Sequence, residues 1–327
     1  MRILVVGAGA IGGYFGARLA AAGRDVTFLV RERRADQLRR DGLVVTSPLG
    51  NLNLPTPPLV SAKELKSYFG LIIVSSKSYD LESSIADFAN GMGPDSRVLP
   101  LLNGMRHLDM LDARFGARRV LGGLARISST LDADGRIHQL GTFNALAFGS
   151  RDGGDAASDE IAEVLRVPGF DALLSRDILH EMWEKWVFIA AAASTTCLMR
   201  ATVGDIVAAD AQEIPVRLLQ ECAAIAAANG FPPREAAGNA GLGILTAPGS
   251  TFTASMLRDI EQGNRIEADH IVGDLLRRAS NSVQAPLLST AYAHLRAYEA
   301  RLAREGKKTQ GTKGNSVLPL LTVPGES

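Results

Sequence analysis

The chain opens on an uninterrupted apolar run, Ile3 to Val6, followed by Gly7-Ala8-Gly9-Ala10-Ile11-Gly12, a helically patterned stretch to Gly23, and a second run, Asp25-Val26-Thr27-Phe28-Leu29-Val30, that ends on Arg31. An apolar run without alternation predicts a strand buried on both faces, as in a parallel sheet. Strand, helix and strand in this order predict a βαβ unit. Leu71 to Val74 and Arg97 to Leu102 are further strand candidates, each ending in polar residues, Ser75-Ser76-Lys77 and Asn103-Gly104. Between Val120 and Gly149, short β-like segments with turn signals at Ala133-Asp134-Gly135 and Gly141-Thr142 predict hairpins that finish a first domain. A helix-prone stretch, Ser158 to Leu165, and the segment Phe170 to Ser175 lead to a boundary near Asp177. Beyond it the period becomes helical over 180–199, 216–228, 255–262, 266–279 and 286–304. The expected class is α/β: an N-terminal Rossmann-type parallel-sheet domain over 1–176, a second, all-helical C-terminal domain over 177–305, and a mobile tail over 306–327.

The glycine spacing carries the first chemistry. Gly7 provides a tight turn, Gly9 lets the backbone approach a pyrophosphate, and Gly12 permits close helix–strand packing, while the helix N-terminus faces the phosphates. Gly7, Ala8, Gly9, Ala10, Ile11 and Gly12 are therefore expected to bind a dinucleotide. An NAD site commonly places a carboxylate at the end of the second strand to accept hydrogen bonds from the ribose 2′-hydroxyl. Arg31 stands there instead, and its forked donors suit a 2′-phosphate, so NADP(H) is the expected cofactor. Arg33 and Arg34 extend the charge run, and at least one of them reads as an ordinary solvated residue.

Composition narrows the class further. A length of 327 residues with 46% hydrophobic content can fill two cores, and the formal net charge of +0 gives no electrostatic case for nucleic acid or an anionic membrane. Cys197 and Cys222 lack metal-ligand spacing and read as small apolar fillers of a cytoplasmic protein. The apolar N-terminus reads as a strand and not a signal peptide, and the longest apolar stretch, Trp186 to Met199, is too short to span a bilayer. His107, His138, His180, His270 and His294 are scattered, so no metal site is expected and each reads as structural or exposed. Neither a Gly-x-Ser-x-Gly elbow nor a Gly-x-x-x-x-Gly-Lys loop is present.

Ligands of open parallel sheets lie beyond the carboxyl ends of the strands, which directs Lys77 and Asn103 toward the same crevice as the glycine loop. Taken alone, Lys77 also fits a surface lysine at a loop start, and Asn103 a turn residue before Gly104. Within the helix from His180, Lys185 has Glu181 on one side and Ile189 and Ala193 on the other. Periodicity alone makes it a snorkelling lysine; desolvation would favour its neutral amine and a nearby carboxylate its ammonium. Ser255 and Glu267 lie on either side of a Gly263-Asn264 break, and spacing makes neither special.

Taken together, the glycine loop with Arg31, Lys77, Asn103-Gly104-Met105, Trp183-Glu184-Lys185, Ser255-Met256-Leu257-Arg258-Asp259 and Glu267-Ala268-Asp269 resemble the ketopantoate reductase family over nearly the whole chain. The resemblance implies NADPH-dependent reduction of a 2-oxo acid to a 2-hydroxy acid, with 2-dehydropantoate (ketopantoate) to pantoate in pantothenate biosynthesis as the leading assignment. It also implies Lys185 as proton donor, Asn103 touching cofactor and substrate, Lys77 and Glu267 serving the cofactor and the orientation of Lys185, and Ser255 binding substrate. The family usually follows its lysine with asparagines that hold the substrate's hydroxyl and carboxylate. The matching positions here are Ile189, Ala193 and Val203, and losing such partners costs ~1–3 kcal/mol each. Ser194, Thr195, Thr196 or Arg200 are the available compensators. The sequence therefore also admits a related reductase for a more apolar, branched or aromatic 2-oxo acid, and a non-catalytic NADP(H)-binding sensor. The expected partner is a small-molecule 2-oxo acid, and the expected assembly a monomer or homodimer.

Overall fold

The computed structural model describes residues 1–154, 156–280 and 283–311, with side chains to residue 305. In the first half, strands β1 (Ile3–Val6), β2 (Val26–Leu29), β3 (Leu43–Thr46), β4 (Leu52–Leu54), β5 (Leu59–Val60), β6 (Phe69–Val74), β7 (Met92–Pro100), β8 (Gly122–Leu131), β9 (Ile137–Gly149) and β10 (Asp171–Leu174) are interspersed with helices α1 (Gly12–Ala21), α2 (Glu32–Asp41), α3 (Leu81–Phe88), α4 (Arg106–Phe115) and α5 (Ala156–Leu165). The second half holds α6 (Ile178–Met199), α7 (Val203–Ala208), α8 (Glu213–Ala228), α9 (Glu235–Leu245), α10 (Ser255–Glu261), a π-helical turn at Asp269–Gly273, α11 (Asp274–Arg277) and α12 (Pro286–Gly311). The architecture is thus a parallel-sheet domain followed by a helical one.

Five parallel strands in the order β5-β2-β1-β6-β7 form the main sheet. The chain runs outward from β1 to β2 and later returns to the other side of β1 as β6, so the order reverses between β1 and β6. A crevice opens at such a switch point, beyond the carboxyl ends of the strands. Alternate side chains of this sheet feed two different cores. Leu4, Val6, Ile72, Val74 and Val98 share one cluster with Leu108 and Leu111 of α4 and with Trp183, Trp186 and Val187 of α6. Ile3, Val5, Leu71, Ile73 and Leu99 share the other with Tyr14 and Phe15 of α1 and with Val45, Ile137 and Phe148 of a second sheet.

That second sheet is a finding the strand signals only half anticipate. The hairpin expected between Val120 and Gly149 is present as antiparallel β8 and β9, but β9 also pairs in parallel with β3 and β10, and β3 pairs antiparallel with β4. Strands of three or four residues such as β4 and β10 are too short to show a period. Two helical expectations also change. The single helix predicted over 266–279 is a π-helical turn running into α11, and α12 continues past residue 304 to Gly311. Helices α7 and α9 were not expected. The tail expected to be mobile lies, from residue 312 onward, outside the described residues.

Gly12 shows why the βαβ junction needs its glycine. A Cβ built there would collide with the Gly7 carbonyl oxygen and Ser75 Oγ and would lie 3.1 Å from Val5 Cγ1. Backbone cannot yield as a flexible side chain can, so Gly12→Ala is expected to lower folding stability by about 1–3 kcal/mol. Denaturant unfolding followed by circular dichroism checks this, and an unchanged midpoint would contradict it.

Candidate active site

Local backbone geometry shapes the glycine loop between β1 and α1. Gly7 sits at φ +91°, in the region that favours glycine, and a Cβ at Gly9 would meet nothing within 4 Å. The loop's carbonyls are held by neighbouring side chains: Ala8 accepts from Arg34 Nε (3.0 Å), Ala10 from Ser129 Oγ (3.0 Å), and Gly7 from Ser75 Oγ (3.3 Å). A concave backbone with open space over Gly9, at the first turn of α1, fits a diphosphate. Arg34 is therefore no solvated member of a charge run. It folds inward, donates also to Gln37 Oε1 (2.6 Å), and burial lowers its pKa. Arg33 is exposed. Arg31, also exposed, reaches Ser83 Oγ (2.8 Å) and Asp80 Oδ1 (3.4 Å) at the edge of the crevice.

Across the crevice, residues of the helical half meet the loop that follows β6. Glu267 Oε1 accepts from the Ser78 amide (2.9 Å), and Lys77 Nζ lies 3.5 Å from Glu267 Oε2 and 3.4 Å from Asp259 Oδ2. Burial acts to lower the Lys77 pKa, but the two carboxylates outweigh it and the pKa is raised. The Glu267 carboxylate is thus engaged by Lys77 and Ser78, in place of the expected orienting contact with Lys185. Arg106–Asp269 (2.9 Å) and Arg278–Asp109 (2.8 Å) complete this seam.

Lys185 projects from α6 into a narrow cleft that it lines with Leu102, Asn103, Leu124, Trp186 and Ile189. Its Nζ donates to the Ala125 carbonyl of β8 (2.8 Å). It is no snorkelling surface residue: burial first, and then the Arg126 guanidinium, lower its pKa to about 8. The carboxylates nearest in sequence do not reverse this, because Glu181 is taken by Arg126 (2.9 Å) and Glu184 by Arg234 (2.6 Å). A buried cation of tuned pKa can stabilise negative charge on oxygen and then release a proton.

The other predicted residues are placed unevenly. Asn103 and Ile189 line the cleft with Lys185. Ala193 and Val203 are buried in the core, so of the three apolar replacements Ile189 is the one that meets the cleft. Ser255 is exposed at the start of α10, and the preceding amide, Ala254, donates to Thr196 Oγ1 (3.3 Å), which ties that start to α6. Ser194 and Thr195 are fully buried, while Arg200 is exposed at the end of α6. Sequence reasoning missed Arg126, which no motif marks, and His270, whose place three residues after Glu267 was the available signal. Nε2 of His270 lies 2.7 Å from the Asn103 carbonyl. Among the described residues no cluster could hold a metal ion, and no helix is long and apolar enough to cross a membrane.

Comparison with known proteins agrees with this fold. The family model described as ketopantoate reductase PanE/ApbA matches residues 3–153, and its C-terminal counterpart matches residues 177–299. An uncharacterized oxidoreductase of Bacillus subtilis, YkpB, is 38% identical over 303 residues, covering 92% of this chain and 99% of its own. A 2-dehydropantoate 2-reductase of Pyrococcus horikoshii is 28% identical, covering 92% of this chain and 98% of its own. The crystal structure of 2-dehydropantoate 2-reductase from Geobacter metallireducens superposes with a TM-score of 0.83 at 27% identity, over 91% of this chain and 99% of that one.

Arg126 offers a direct test of the electrostatics. Arg126→Gln removes the cation that lowers the Lys185 pKa and frees Glu181, whose carboxylate favours the ammonium. Both changes act upward, so the Lys185 pKa is expected to rise from about 8 toward its ordinary 10.5. Competitive amine labelling of Lys185 across pH, read by mass spectrometry, measures the shift; an unchanged or lower value would contradict the arrangement.

Proposed function

Because the chain belongs to the ketopantoate reductase family, we propose that it is an NADPH-dependent reductase that converts a 2-oxo acid to the 2-hydroxy acid, with ketopantoate to pantoate in pantothenate biosynthesis as the leading assignment. The observation that carries this reading is a buried lysine of pKa about 8, lining one cleft with Asn103 beyond the strand ends. The glycine loop Gly7–Gly12 would cradle the diphosphate and Arg31 the 2′-phosphate, and Lys77 and Glu267 would also serve the cofactor; the cofactor, when bound, supplies the hydride. Lys185 holds its ammonium against the substrate carbonyl oxygen, stabilises the alkoxide that forms there, and transfers one proton to it. Asn103 and Ser255 orient the substrate. The packed walls of Leu102, Leu124 and Trp186 keep water from the reacting carbon. The free, buried thiols of Cys197 and Cys222 fit a reducing cytoplasm.

Ile189 favours a second reading. An apolar side chain one turn beyond the donor offers no partner to the 4-hydroxyl of ketopantoate, and with Leu102, Leu124 and Met182 it suits a branched or aromatic 2-oxo acid.

NADPH absorbance is followed with ketopantoate and with branched and aromatic 2-oxo acids. Reduction is expected, with a kcat about 10²–10⁴-fold lower in Lys185→Ala. Preference for ketopantoate supports the first reading and preference for an apolar acid the second. NADPH binding without any turnover would leave a sensor.

The cofactor assignment has its own test. Arg31→Ala is expected to raise KM for NADPH about 10- to 100-fold, the worth of a charge-assisted contact, and to leave KM for NADH nearly unchanged. Equal effects on both would count against a 2′-phosphate contact.

A further inference from the structure

We infer that His270 is a positioning residue for this reaction: from the helical half it grips the backbone of Asn103 and so fixes that residue where it lines the cleft with Lys185. The inference rests on the reading that Asn103 touches cofactor and substrate.

The contact itself is short and buried. His270 Nε2 lies 2.7 Å from the Asn103 carbonyl oxygen, and the residue is 7% exposed. A carbonyl can only accept, so Nε2 carries the proton, which fixes the tautomer of the neutral ring. The turn that receives this bond has no slack. Gly104 sits at φ +76°, and a Cβ there would lie 3.1 Å from the His270 carbonyl oxygen and 3.3 Å from its ring Cδ2. The Asn103–Gly104 backbone therefore packs directly on His270.

What holds His270 is equally specific. It lies in the π-helical turn Asp269–Gly273, and the next carbonyl, that of Ile271, accepts from Trp186 Nε1 (2.8 Å). Trp186 is the residue after Lys185 on α6. Two successive residues of one turn thus bind the segment carrying Asn103 and the helix carrying the proton donor. Isolated π-helical turns within helices are frequent at functional sites, where the wider turn re-aims side chains.

Burial also opposes charging of the ring. His107, fully buried, lies with its ring centroid 5.9 Å from that of His270. Burial depresses the pKa of both imidazoles; for His270 it outweighs Glu267, the hydrogen bond to Asn103 and Asp274, which act to raise the pKa, and Arg106 acts with it. In the neutral form the ring has one donor, and the 2.7 Å contact commits it to Asn103.

The test is a double-mutant cycle in the full-length enzyme, assayed with NADPH and the 2-oxo acid it turns over best. His270→Leu is expected to lower kcat/KM about 10- to 100-fold, the scale of a misplaced binding group, and His270→Gln, which keeps an N–H at comparable reach, to restore most of it. In an Asn103→Ala background His270→Leu should cost less than about twofold, because its effect passes through Asn103. Equal costs in both backgrounds would overturn the inference and leave the role of Asn103 standing. An Asn103→Ala enzyme as active as the parent would overturn that role, and the inference with it. Nitrogen NMR of the unmodified protein gives a readout independent of variant folding: a protonated Nε2 on His270 is expected, and an Nδ1–H tautomer would overturn the inference.

Discussion

Burying the Lys185 ammonium costs several kcal/mol unless its protons find acceptors, and the Ala125 carbonyl accepts one of them at 2.8 Å. Strand β8, paired with β9, also packs against α6 and so brings that carbonyl to the helix. The neighbouring charges follow from the same constraint. A carboxylate left beside the amine would stabilise the cation and make it a poorer acid, yet Glu181 and Glu184 are each bound by an arginine. The depressed pKa therefore comes from desolvation that no carboxylate offsets, with Arg126 adding to it. A site of this kind gives up stability to hold a proton near the point where it can be released.

The main sheet arranges the rest by sorting side chains to two sides. Residues facing one way pack with α1 and the second sheet, behind the glycine loop; those facing the other way pack with α4 and α6, beneath the cleft. The cradle and the proton donor are thereby supported by opposite faces of the same strands. Their seam is closed by polar contacts reaching across it, from Lys77 and Ser78 to Glu267, from Arg106 to Asp269, and from His270 to Asn103.

The legible parts of the chain were those written in local pattern. Ile3 to Val6, the glycine spacing and the switch to a helical period after His180 each declare themselves within a few residues, and Pro286 marks the start of α12 because proline suits a first helical position. Lys185, Asn103 and Ile189 were legible through family resemblance, and the cleft does gather them. What stayed hidden depends on partners far away in sequence. Leu43-Val44-Val45-Thr46 is an unremarkable short segment until β9 lies beside it, and nothing in Arg126 announces Glu181. His270 reads as one of several scattered histidines because its partner is a backbone carbonyl, which has no signature in sequence. Ala193 and Val203, read as walls of the pocket, are buried in the shared core, Ala193 two turns beyond Lys185 on α6 and Val203 at the start of α7.

One core cluster runs without interruption from Leu4 and Val6 of the first strand, through Leu108 of α4, to Trp186, Leu218 and Leu295 of the helical half. The two halves are therefore not modules that evolution could exchange freely. A helical half borrowed from a distant relative would arrive with its own complement to Val6, Ile72 and Leu108, and would leave gaps or collisions under the cleft. A substitution at the cleft lining, where Ile189 stands, leaves that shared interior in place, whereas an exchange of halves does not.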